Sequence, residues 1–141
     1  MDLREVSDRL EINEILTRYC HMLDLKDWPA FRALFAENAT LDFRAFGGPL
    51  GSVDDIVAFL IPVLDSLIGS EHIATTVMID LDGDSATARS AAIVPMTSRK
   101  DDGSEYTLFN GLWYEDRLTR TAHGWRFAER VQVRAFNFNP A

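Results

Sequence analysis

Cys20 is the only cysteine in 141 residues, so no disulfide can form within the chain. Basic residues are scarce: 14 Lys and Arg stand against 22 Asp and Glu, for a formal net charge of −8. That balance argues against nucleic acid or an anionic membrane as partner. The longest apolar run, Ile56 to Leu64, has nine residues and contains Pro62. A membrane-spanning helix needs roughly 20. The opening stretch MDLREVSDRLE is charged and lacks the apolar centre of a signal peptide, so a cytoplasmic location is expected. No Gly-rich phosphate loop, CxxC, HExxH or GxSxG is present. The three histidines, His21, His72 and His123, lie far apart, and a zinc site needs three or four ligands. No metal and no cofactor is therefore expected, and the partner sought is a small molecule.

What is present fits one domain over residues 1–141, long enough to enclose a core. Leu3, Val6, Leu10, Leu16, Cys20 and Leu23 recur near helical spacing and predict a first helix from Leu3 to Leu23. Asp2 and Glu5 suit a capping box at its start. DWPAFRALFAEN predicts a short second helix, with Asp27 as cap and Asn38 as stop. Thr40 to Phe46 alternates like a strand. Ser52 to Asp55 opens a third helix through Ile68, which Pro62 should kink or divide. His72–Leu81, Ala86–Thr97, Glu105–Thr119 and Trp125–Phe138 then read as strands joined by short turns. Helices followed by hairpin-linked strands predict an α+β fold. Three N-terminal helices against the concave face of a strongly bent sheet would enclose a conical pocket. Arg117, Arg120, Arg126, Arg130 and Arg134, interspersed with Glu115, Asp116 and Glu129, read as the polar face of that sheet. Thr87, Arg89, Arg126, Arg130 and Arg134 are expected to be exposed and to suit packing into a homo-oligomer, a dimer or a trimer.

Three polar residues interrupt apolar surroundings. Asp24 lies four residues after Cys20 and eight after Leu16, so it continues the buried stripe of the first helix. A carboxylate there is costly unless it is paired. His72 begins a strand in SEHIATTVMIDL, and Asn110 sits within LFNGLWY. An imidazole whose one nitrogen donates to a carboxylate can use the other to remove a proton. An amide can donate to the oxygen on which charge develops. His21, off the main stripe, and His123, in a turn, read as surface residues. Each polar residue also has a plainer reading: a solvated helix end at Asp24, a strand-start histidine, a strand-edge hydrogen bond at Asn110.

Taken in order, YCHMLDLKDWPAFRALFAENATLDFRAF, GSEHIAT, VPM, NGLWY and GWRFAER resemble the SnoaL-like branch of the nuclear transport factor 2-like superfamily. Within it, the chain is most similar to scytalone dehydratase-like proteins. The resemblance spans nearly the whole chain. It implies a cone-shaped α+β barrel, with three helices over a curved and mainly antiparallel sheet. It also implies that Asp24, His72 and Asn110 match the aspartate, first histidine and asparagine of the dehydratase pocket. Leu23, Phe43 and Met96 stand where that pocket has two tyrosines and a second histidine. Dehydrochlorinases of the same fold share the Asp–His pair and add a lysine where Tyr19 stands. The implied activity is a cofactor-independent lyase or isomerase acting by proton abstraction on a small cyclic, largely apolar substrate. The implied alternative is a non-catalytic binding or assembly module. The expected pocket walls are Tyr19, Trp28, Phe43, Phe59, Met96, Leu112 and Tyr114, with Phe136 and Phe138 as cover.

Overall fold

A computed structural model describes residues 1–138. Helix α1 runs Leu3–Leu25. Asp2 Oδ1 accepts from the Glu5 backbone N–H at 2.8 Å, and Glu5 Oε2 accepts from the Asp2 N–H at 3.2 Å. This reciprocal cap satisfies two of the N–H groups that a helix start leaves without partners. The buried stripe is Asp8, Ile12, Ile15, Leu16, Tyr19, Cys20 and Leu23. Leu3 and Leu10, expected in that stripe, are 87% and 67% exposed, and Val6 is also exposed. Leu10 lies two residues from both Asp8 and Ile12. At about 3.6 residues per turn, that puts it on the far side of the helix.

Asp8 replaces a leucine in the stripe because it has partners there. Its Oδ1 accepts from Trp125 Nε1 at 3.0 Å and its Oδ2 from Arg120 Nη2 at 2.8 Å. These two bonds, first that of Arg120, hold the carboxyl below its usual pKa. A carboxyl whose pKa falls on folding adds stability above its unfolded pKa, near 3.9, and loses it as pH drops through the lower folded value. Asp8→Asn should therefore destabilise the chain at pH 7, and the gap from wild type should shrink from about pH 4 downward. Thermal unfolding of both chains across that range measures it.

Helix α2, Trp28–Arg32, is capped by Asp27, whose Oδ1 accepts from the Ala30 N–H at 3.2 Å. It is shorter than expected. Residues Phe35–Asp42 form strand β1 instead of the helix's second half. The tertiary ladder overrides helical spacing here: Phe127 N–H donates to Leu34 O at 2.9 Å, and Phe35 pairs with Phe127. A 3-10 turn, Arg44–Phe46, replaces the end of the expected strand. Strand β2, Leu50–Ser52, leads directly into helix α3, Val53–Asp65, through the Ser52–Asp55 capping box. Pro62 does not divide this helix. It falls in the last turn, so α3 ends three residues later and short of Ile68.

Strands β3 (Gly69–Ser70), β4 (Ile73–Asp82), β5 (Ser85–Arg99), β6 (Glu105–Thr121) and β7 (Gly124–Phe138) complete the sheet. Its order is β2-β1-β7-β6-β5-β3, with β4 also on β5. β1 runs parallel to β7 and every other pair is antiparallel. Among the described residues, three helices pack on this curled sheet, which forms a half-barrel; the cone-shaped α+β architecture holds. No helix among them is long and apolar enough to cross a membrane.

Arg130 and Asp116 do not belong to a polar outer face. Both side chains are fully buried. In β7 one extra residue, Ala128, interrupts the register between Phe127↔Leu118 and Glu129↔Arg117. The bulge advances the alternation by one, so Arg130 turns inward along with Trp125 and Phe127. Arg130 then donates to both Asp116 oxygens, from Nε at 2.8 Å and Nη2 at 3.2 Å. Its guanidinium lies 3.6 Å from the Tyr114 ring centre, 4.1 Å from Tyr19 and 4.6 Å from Phe127. Burial pushes the Asp116 carboxyl up, to about 6, against the pull of Arg130.

Candidate active site

Asp24 occupies the last turn of α1, which holds no basic residue. The helix dipole disfavours a carboxylate there. The compensation comes from His72. Between β3 and β4 the chain keeps one register on β5, Ser70↔Met96 and Ile73↔Ile93, so Glu71 falls opposite Pro95 and His72 opposite Val94. Glu71 N–H donates to Pro95 O at 3.2 Å. Proline has no N–H to return, and the ladder breaks there. The next N–H, that of His72, points away from β5 by the alternation of an antiparallel pair. It meets Asp24, at 3.2 Å from each carboxylate oxygen.

The His72 ring completes the pair. Nδ1 lies 2.7 Å from Asp24 Oδ1. Asp24 as a carboxylate only accepts, so Nδ1 is the protonated nitrogen. Nε2 then carries the lone pair, and it has no partner among the described residues. The His72 side chain is 8% exposed and that of Asp24 24%. His72 lines the interior cavity of the cone. Asp24 lines a second groove, between α1 and β4, which His72 lines as well.

The cavity has a volume of about 130 Å3 and is partly open to solvent. Tyr19, Phe43, Phe59, Met96, Leu112 and Tyr114 line it together with His72 and Asn110. Leu23, Phe46, Leu60, Val63, Leu64, Val94 and Gln132 complete the wall. Trp28 does not reach it. The indole stands edge-on to Phe31, 5.8 Å between centres, within the aromatic packing of α2. Phe136 and Phe138 do not cover it either; they are 48% and 53% exposed. A second extra residue, Ala135, shifts β7 between Leu112↔Arg134 and Gly111↔Phe136. Past this bulge Phe136 faces outward, its ring filling the space where Gly111 lacks a Cβ. Phe138 packs there on Phe109, 5.9 Å between centres. His21 and His123 are exposed.

Asn110 faces Val94 across the β5–β6 ladder, and Val94 faces His72, so the three stand in one row. Among the described residues, the Asn110 Nδ2 contacts the Met96 sulfur, at 3.8 Å, a weak acceptor. At the cavity floor the Tyr19 hydroxyl is buried without a hydrogen-bond partner among the described residues. Burial raises its pKa above that of an ordinary phenol. Reading the sequence missed Gln132 and the Arg130–Asp116 pair behind the two tyrosines. An arginine that changes face through a bulge leaves no periodic signal, while Asp116 keeps the regular alternation of Leu112, Tyr114 and Leu118.

The model of the SnoaL-like domain family matches residues 4–131. An uncharacterized protein of Mycobacterium tuberculosis, Rv2910c, is 34% identical over 136 residues, covering 96% of this chain and 91% of its own. The uncharacterized protein Mb2934c of Mycobacterium bovis matches to the same extent, 34% over 136 residues, covering 96% of this chain and 91% of its own. The chain belongs to the SnoaL-like domain family. Among solved structures, the Kfla4162 protein of Kribbella flavida superposes with a TM-score of 0.86 at 25% identity, over 96% of this chain and 95% of that one. A hexachlorocyclohexane dehydrochlorinase shares the fold at TM-score 0.85 and 12% identity, over 100% and 94% of the two chains. So does a protein of Novosphingobium aromaticivorans provisionally assigned as a scytalone dehydratase, at TM-score 0.84 and 17% identity, over 97% and 90%.

Proposed function

We propose that this chain is a cofactor-independent lyase or isomerase that removes a proton from a small cyclic, largely apolar substrate. The observation that carries this reading is the 2.7 Å contact between His72 Nδ1 and Asp24 Oδ1, with the His72 ring walling an apolar cavity. Asp24 fixes the tautomer and steadies the imidazolium that forms, as an aspartate does in hydrolase triads. Nε2 takes the proton from carbon. Asn110 leaves its weak sulfur contact and donates to the substrate oxygen as negative charge gathers there. In an elimination, the protonated ring returns the proton to the departing hydroxyl; in an isomerisation, it returns the proton to a second carbon. The dehydratase-like and dehydrochlorinase neighbours lend support, since both names denote eliminations.

Leu23 and Phe43 bring no hydroxyl to the cavity; the tyrosines that line it are Tyr19 and Tyr114. His72 and Asn110 carry the polar work. The test is deuterium uptake at the α-carbon of cyclohexanone in D2O, followed by NMR. Uptake catalysed above the buffer rate is expected. Uptake at the buffer rate, with this ketone and with cyclic enones alike, would return the chain to the class of non-catalytic binding modules.

A further inference from the structure

The proton-abstraction reading leaves one cavity amide without a task. Gln132 lines the cavity, and its side-chain amide makes no hydrogen bond among the described residues. It is the register partner of Tyr114, which is buried and also lines the cavity. An amide and a phenol facing a mostly apolar space are costly unless something hydrogen-bonds them. Gln132 is not an accident of a polar surface, because the Ala128 bulge is what turns this part of β7 inward, and Tyr114 faces inward in the regular alternation of β6.

Their position differs from that of the proton-transfer groups. Asn110 shares its row with Val94 and His72. Tyr114 is four residues farther along β6, roughly 13 Å at about 3.3 Å per residue. Leu112, between Asn110 and Tyr114 on β6, also lines the cavity. Along β6 the cavity is therefore walled by polar, apolar and polar side chains in turn. Its volume of about 130 Å3 is close to that of an apolar protein cavity of about 150 Å3 that takes up benzene.

We infer that the substrate is a single six-membered ring carrying oxygen at two opposite edges. One oxygen lies at Asn110 and His72, where the proton leaves. The other is a hydroxyl or carbonyl held by Gln132 and Tyr114. Gln132 is then a specificity-determining residue that senses the far oxygen and takes no part in proton transfer. This inference rests on the reading above for the near end of the ring and on Gln132 and Tyr114 for the far end.

The test compares three probes by NMR titration of the full chain: cyclohexanone, 4-hydroxycyclohexanone and the bicyclic ketone 1-tetralone. The hydroxyketone should bind about tenfold tighter than cyclohexanone, the scale of one neutral hydrogen bond. Tetralone should bind more weakly than either. Gln132→Leu should bring the ratio of hydroxyketone to cyclohexanone affinity down to about one. Tyr114→Phe, a smaller change, should reduce the same preference if the leucine variant folds poorly. Equal affinity for the two monocyclic ketones in the wild type would overturn the inference. So would a preference that survives both variants, tighter binding of tetralone, or no binding of any probe. Titration of His72→Gln separates the two claims. A preference kept there, with no deuterium uptake by the wild type, sinks proton abstraction alone. Uptake by the wild type without a preference sinks the two-oxygen substrate alone.

Discussion

Replacing His72 with glutamine should slow deuterium uptake by about 10²–10⁴-fold, the usual contribution of a positioned general base. That range corresponds to about 2.7–5.5 kcal/mol of transition-state stabilisation. Glutamine fills much of the same volume and still offers a donor to Asp24, so the fold and the cavity should persist. What it lacks is the basic Nε2. Asp24→Asn should also slow the reaction, because a neutral amide no longer steadies the imidazolium. A His72→Gln chain with unchanged rate, and an intact spectrum, would place the base elsewhere. If instead His72 served only to tie α1 to the sheet, the variant would lose stability and leave any ligand affinity in proportion to the folded fraction.

The second large effect concerns stability. Asp116→Ala should destabilise the chain by about 3–5 kcal/mol, because it leaves the Arg130 guanidinium buried without its counter-charge. That is a large share of the roughly 5–15 kcal/mol by which a typical domain is stable. Arg130 also carries the packing of Tyr19 and Tyr114, which lie 4.1 and 3.6 Å from its guanidinium carbon. The loss should therefore reach the cavity floor. The double variant Asp116→Leu with Arg130→Met removes both charges and should recover most of the loss, as buried ion pairs replaced by apolar residues often do. Urea unfolding of the wild type and the two variants measures both. A single variant as stable as the wild type would mean that Arg130 finds water or another acceptor.

The helices and the Asp24–His72 pair were legible for reasons that survive folding. Asp24 extends the run of Leu16 and Cys20, and both of these are buried. A carboxylate in that run had to have a partner, and His72 is the partner. Capping boxes at Asp2 and Ser52 were equally readable, because they are local bonds between residues three apart. The losses on the sheet side come from long-range register. Phe35 to Asn38 has helical spacing but is drawn into β1 by its ladder to β7. Two alanines, Ala128 and Ala135, decide which of Arg130, Gln132 and Phe136 face the core. Alternation along the β7 sequence cannot show either bulge, since each is defined by its pairing with β6. The inward Arg130 and Gln132 and the outward Phe136 follow from those two residues alone.

The most direct test of the proposed chemistry is the tautomer of His72, read from the two ring 15N shifts in wild type and Asp24→Asn. A wild-type ring protonated at Nδ1, with an Nε2 lone pair whose shift moves when a cyclic ketone is added, is the expected result. Asp24→Asn should weaken that tautomer preference. A ring protonated at Nε2 and indifferent to both the ketone and Asp24 would contradict it, since no base would then face the cavity.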